Sequence, residues 1–153
     1  MSESARIAEL LRRAFAGDAW HGDSVLELLA GVNAATAANH PIASAHSIWE
    51  LVLHIAAWDD AVNRRIVSGK AVSLSDKQNF PPVRETSEAA WKQALKRLGQ
   101  AHEQLVRTVA ALPDPRLEER VPGKNYNIYF MLHGVTQHEL YHAGQIAILK
   151  KAG

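Results

Sequence analysis

His138-Glu139-Leu140-Tyr141-His142, continued by Ala143-Gly-Gln-Ile-Ala-Ile-Leu-Lys-Lys-Ala-Gly153, is the stretch on which the reading of the fold turns. Its first five residues match the His-Glu-x-x-His pattern of zinc proteases. Two histidines four apart lie on one face of a helix, about 40° from each other at 3.6 residues per turn, so both imidazoles can reach one divalent metal. A zinc protease of this kind takes its third ligand downstream and sets the motif beside a sheet that aligns the substrate. The residues after His142 include no histidine, aspartate or glutamate, and no segment of the chain alternates in the manner of a strand. The protease match is therefore read as coincidental, and the third ligand is expected upstream, in a helical fold.

Outward from that stretch the chain reads as helix nearly throughout. A first helix is expected over about Glu3 to Ala16, with Ile7, Leu10, Leu11 and Phe15 at helical spacing and Gly17 as its stop. Ser24 to Glu27 has the form of a capping box and opens a short extra helix ending near Gly31. Ser47-Ile48-Trp49-Glu50 is a second box, opening a long helix that runs to Ser68 before Gly69. Residues 70–86, with Phe80-Pro81-Pro82, form a connection long enough to be a functional loop. From Ser87 to Leu112, residues Trp91, Leu95, Leu98, Leu105, Val109 and Leu112 make the apolar seam that helix-on-helix packing needs. Asn127 can cap a last helix, Ile128 to Lys151, whose final turn carries Lys150 and Lys151 to suit the macrodipole. The expected fold is an all-α four-helix bundle with a short extra helix after the first, forming a single domain over residues 1–153.

Composition narrows the function classes. The 153 residues are 47% apolar and carry 17 basic against 16 acidic side chains, a formal charge of +1. Such a balance offers nothing to nucleic acid or to an anionic membrane surface. The chain has no cysteine, which excludes disulfides, thiolate ligands and a protein thiol nucleophile. With no signal-peptide pattern at Met1-Ser2-Glu3-Ser4 and no apolar run of spanning length, a cytoplasmic location is expected.

The eight histidines decide the rest. His138 and His142 project from a mostly apolar face that also carries Met131, Val135, Tyr141, Gln145 and Leu149, and His54 shares a face with Leu51, Trp58 and Ala61. A bundle brings such faces together. Three neutral imidazoles meeting in its interior would leave coordination positions open, the catalytic rather than the closed structural pattern of zinc. Imidazole ligation also suits nickel, iron and copper, so the residues do not choose the metal. A lone histidine on an apolar face is usually a hydrogen-bonded core residue. Two adjacent buried imidazoles fit that account poorly, because each needs a partner and they repel when protonated. Trp58 and Gln145 are expected at the pocket, and Glu50 as an acceptor for the outer ring nitrogen of His54, in competition with its capping role. Glu139 and Tyr141 are candidates for a catalytic base and a hydrogen-bond donor. Against that, Glu139 points about 100° from His138 and reads by default as a solvated or interface residue, and Tyr141 and Gln145 as packing residues. His102, on the seam of the third long helix, reads as a core histidine with an option as fourth ligand or relay. His133 points away from His138, His46 belongs to a helix end, and His21 and His40 fall in loops.

Leu53-His54-Ile55-Ala56-Ala57-Trp58 together with Gln137-His138-Glu139-Leu140-Tyr141-His142-Ala143-Gly144-Gln145-Ile146 resembles the DinB/YfiT-like family, and Trp20 and His46-Ser47-Ile48-Trp49-Glu50 extend the likeness along the chain. The resemblance implies a four-helix bundle with His54, His138 and His142 as ligands of a divalent ion, commonly nickel or zinc. It further implies a homodimer and a small-molecule substrate. Family members are usually described as metal-dependent hydrolases, and relatives include S-transferases that use low-molecular-weight thiols and a thiol-dependent maleylpyruvate isomerase. Without a cysteine, the sulfur of any thiol chemistry must come from a cosubstrate. The competing class is a non-enzymatic, stress-associated bundle dimer that binds a metal or small ligand. The fourth coordination position separates the two: an exchangeable ligand there marks an enzyme, a protein side chain such as His102 a structural site.

Overall fold

The computed structural model describes all 153 residues and contains no strand. Four long helices, α1 (Glu3–Ala16), α4 (Ile48–Ser68), α6 (Glu88–Ala110) and α7 (Ile128–Ala152), make up the bundle. Three short ones, α2 (Val25–Leu29), α3 (Ala34–Ala38) and α5 (Asp76–Asn79), and a 3-10 turn over Asp114–Glu118 fill its connections. α4 and α1 each pack against both α6 and α7, so they stand diagonally across the bundle.

The long helices start and stop where local chemistry dictates. At the head of α4 the Ser47 hydroxyl accepts from the Glu50 amide at 3.1 Å, while the Glu50 carboxylate accepts from the Ser47 amide at 2.8 Å. Gly69 ends α4 in the left-handed region at φ +60°, where a β-carbon would be strained. Asn127 caps α7 by accepting from the Phe130 amide at 2.9 Å. The short helices α3 and α5 were not among the sequence expectations. The Asn33 side chain caps α3 from within, but the Ala34 amide also donates to Glu88 of α6, a tertiary contact. α5 has a local signal, Ser75-Asp76-Lys77-Gln78, with the Gln78 side chain accepting from the Ser75 amide at 2.9 Å.

The core is divided. One apolar cluster gathers Phe15, Ile55, Trp91, Leu98 and Ile146 with their neighbours, and the other gathers Leu11, Val62, Leu105, Leu132 and Val135. Fully burying a side chain such as Leu98 or Leu105 contributes about 1.5–3 kcal/mol. Three helices each bring a buried polar side chain together between the apolar residues, Asp59 on α4, His102 on α6 and Glu139 on α7. No helix is long and apolar enough to cross a membrane.

Candidate metal centre

α4 supplies His54 and, one turn on, Trp58; α7 supplies His138 and His142. The four-residue steps put each pair on one face, and the packing of α4 against α7 turns those faces toward each other. The three imidazoles meet through the same atom. His138 Nε2 lies 2.9 Å from His54 Nε2 and 3.1 Å from His142 Nε2.

The outer nitrogens explain the orientation. His54 Nδ1 donates to the backbone carbonyl of Asn79 at 2.6 Å, and His142 Nδ1 donates to the Gln145 side-chain oxygen at 2.6 Å. A carbonyl only accepts, so both rings carry their proton on Nδ1 and present an Nε2 lone pair inward. His138 Nδ1 is buried without a partner, and the ring sits edge-on to Trp58, 6.0 Å between centroids. Phe80 lies flat against His54 at 3.9 Å and 4°, and its ring also stacks with His46 at 3.8 Å.

Burial is the first cause lowering all three histidines. It holds His138 down to about 3, with the neighbouring His142 and His54 adding to the effect. His54 is lowered by burial and then by His142 and His46, against the opposing pull of the Asn79 carbonyl, and His142 is lowered by burial despite Gln145. All three are neutral at pH 7, the form that ligates a metal.

This donor set fits a divalent ion. A proton on His138 Nε2 satisfies one of the two neighbouring lone pairs and leaves the other facing the same point. A single cation there satisfies all three. Metal–nitrogen bonds of about 2.0–2.1 Å put ligand nitrogens about 3.3 Å apart in tetrahedral and about 2.9 Å apart in octahedral geometry, and the two observed separations fall in or near that range.

A cavity of about 240 Å³ opens beside the cluster, along the groove between α4 and α7. His138 stands at one end and Arg65 with Tyr126 at the other, with Trp58, Val62, Met131 and Val135 as apolar walls.

Several expectations are corrected by the geometry. Glu139 is not solvated: it is 0% exposed, and its carboxylate accepts from His102 Nδ1 at 2.9 Å rather than facing the three histidines. His102 is the core histidine its seam position indicated, stacked on Phe15 at 3.9 Å and within 3.3 Å of Asp59, and only its option as a fourth ligand falls away. Tyr141 is exposed, its ring centroid 5.2 Å from that of His142, and takes no packing position in the core. Glu50 keeps to its capping box and contacts His40 and His46 at 3.2 and 3.3 Å; the partner of His54 is Asn79. Residues 70–86 do not line the cavity beside His138. The loop braces the site from behind, Asn79 holding His54 through its carbonyl and Trp58 Nε1 through its side-chain oxygen at 2.8 Å. Gln145 acts on His142 directly, which the three-residue spacing could have indicated. His133 packs on Tyr129 at 4.4 Å, apart from the cluster.

Comparison with protein families gives one match, the DinB superfamily, over residues 19–146. That span covers most of the chain and holds all three histidines, and the chain belongs to that superfamily. No curated protein and no solved structure matches it.

Proposed function

We propose, from that membership and from the convergence of the three imidazoles, that this protein binds one divalent ion on the Nε2 atoms of His54, His138 and His142 and is a metal-dependent enzyme acting on a small molecule. The observation that carries the reading is the pair of outer hydrogen bonds, from His54 to Asn79 and from His142 to Gln145, which fix the rings as neutral ligands before any metal arrives. Nickel or zinc is the ion proposed, following the family resemblance, since three imidazoles do not by themselves choose among these metals. With His102 engaged elsewhere, no fourth protein ligand stands at the cluster, which supports an exchangeable position and so an enzyme over a closed structural site.

A divalent ion held there supplies Lewis acidity, lowering the pKa of the nucleophile it binds. The chain's own residues do the rest. Phe80 and Trp58 shield the imidazoles, Asn79 and Gln145 hold them in register, and the groove beside His138 admits a substrate. Of the carboxylates nearest in sequence, Glu139 is turned into the core and Glu50 into its cap, so neither serves as a base at the cluster. That arrangement suits transfer of a low-molecular-weight thiol to an electrophile, where activation of the nucleophile is the main demand, ahead of hydrolysis, which also needs a proton for the leaving group.

The test is an assay of zinc- and nickel-loaded protein against a panel of electrophiles, with and without small thiols. Thiol-dependent turnover that is absent from His138→Ala is expected. Metal-loaded protein inert toward every electrophile, with and without thiol, would leave the non-enzymatic metal-binding bundle as the better account.

A further inference from the structure

The cavity beside His138 contains a charge that the three histidines do not use. Arg65 is 5% exposed and takes part in none of the molecule's ion pairs. Its guanidinium is held by neutral groups. Nε and Nη2 donate to the Val72 carbonyl at 3.0 and 2.9 Å, and Nη1 donates to the Tyr126 hydroxyl at 3.2 Å. The Trp58 ring lies 5.5 Å from its Cζ. These contacts fix the side chain and satisfy most of its N–H groups, yet none brings a negative charge. A buried cation without a counter-ion is costly, and fixed in this way it does not swing out to water.

The place of that charge is informative. His54 meets His138 and His142, while Arg65, further along α4, meets Met131, earlier on α7, so the two helices run antiparallel. From His138 back to Met131 is seven residues, about 10 Å along the helix at 1.5 Å per residue. A groove about that long therefore has the imidazole cluster at one end and an uncompensated guanidinium at the other, with apolar walls between them. Its about 240 Å³ admits a small elongated molecule and little else.

We propose that this groove is the substrate site and that Arg65 selects substrates with an apolar body ending in a carboxylate, which pairs with the guanidinium while the other end reaches the histidine cluster. The proposal rests on the metal reading only for what happens at the cluster end; recognition of the carboxylate needs no metal. A carboxylate is favoured over a phosphate because the groove is narrow and apolar, and a single negative charge loses less hydration on entering it. Arg65 is here a specificity-determining residue, and the same contacts that hold it also tie the 70–86 loop to α4.

The experiment compares 4-phenylbutyrate with 4-phenylbutyramide, alike in shape and differing in charge, by calorimetric titration into metal-free protein, so that no metal competes for the carboxylate. The acid is expected to bind about 10- to 100-fold more tightly than the amide, as a charge-assisted hydrogen bond in a dry site allows. That preference should disappear in Arg65→Gln and persist in Arg65→Lys and in His138→Ala. Equal affinities for acid and amide in the wild type, no binding of either, or an undiminished preference in Arg65→Gln overturn the proposal. If Arg65→Gln does not fold, the wild-type comparison and Arg65→Lys decide it. A preference that survives while the protein fails to hold metal counts against the metal reading and leaves this one standing.

Discussion

The His54–His138–His142 cluster and the Asp59–His102–Glu139 cluster both draw on α4 and α7, and each brings its nitrogen and oxygen atoms close enough to hold a metal. They treat charge in opposite ways. In the first, burial keeps the imidazoles neutral, the outer nitrogens of His54 and His142 are tied, and the three Nε2 atoms face one place beside a cavity. In the second, burial opposes a charge on His102, but hydrogen bonds to Asp59 and Glu139 and their negative charges outweigh it and raise the imidazole to about 9. Burial and the nearby Asp59 push Glu139 up to about 8, and burial raises Asp59 as well. The second cluster thus balances its charge with protons, at the centre of the bundle and away from the cavity beside His138. The first lacks that solution and calls for a cation. Ligand-type residues at short range do not by themselves make a metal site; whether they can balance charge among themselves decides.

The comparison can be broken at its second member first. In His102→Ala the carboxylates of Asp59 and Glu139 lose their shared partner inside the core. Removing one member of such a buried set costs about 3–5 kcal/mol, to be read as a fall in the urea midpoint. Metal content should be unchanged, because none of the three inward-facing nitrogens touches His102. A stable variant would mean that the central layer contributes little to the fold.

A smaller effect belongs to the first cluster. Gln145→Leu removes the acceptor that holds His142 Nδ1 and should weaken metal affinity about 10- to 100-fold in a chelator competition, with little change in stability. Unaltered affinity would mean that helix geometry alone orients His142.

The smallest effect is the shape of the pH–stability curve of metal-free protein. The three histidines have folded pKa values below the unfolded value of about 6.5, so the stability they contribute is present above that pH and is lost as pH falls toward the folded values, about 3 for His138. His102 has the opposite sign: its contribution is complete below about 6.5 and is lost as pH rises through about 9. Glu139, raised from about 4.5 to about 8, contributes stability that is complete below about 4.5 and is lost as pH rises through about 8, since over that window the native protein keeps a proton that the unfolded chain has released. The acidic loss from the three histidines and the decline from Glu139 and His102 should both show in the curve, and Glu139→Gln should remove the part of the decline that falls between about 4.5 and 8.

Much of this architecture was legible because its signals are local. The capping boxes at Ser24 and Ser47, the Asn127 cap and the 3- and 4-residue seam of α6 each act within a turn or two, and the four long helices follow from them. The spacing of His138 and His142 and the face of His54 belong to the same class of signal. What escaped depends on which helix meets which. Glu139 looked solvated because its neighbours in sequence do not reveal that α4 and α6 present Asp59 and His102 at the same level. Glu50 looked available to His54, one turn away, but a cap bond to its own helix start was closer, and Asn79 arrived from a loop 25 residues on. Nothing in the sequence singles out Arg65; only its burial without an acid makes it informative.

The central claim, that the three histidines and not the Asp–His–Glu layer hold the metal, is tested most directly by elemental analysis joined to X-ray absorption on protein purified without a histidine tag and loaded with zinc or nickel. The account predicts one ion per chain with three imidazole nitrogens around it, retained in His102→Ala and lost in His138→Ala while that variant stays helical. Wild-type protein that retains no ion, or an ion that survives in His138→Ala and disappears in His102→Ala, would contradict it.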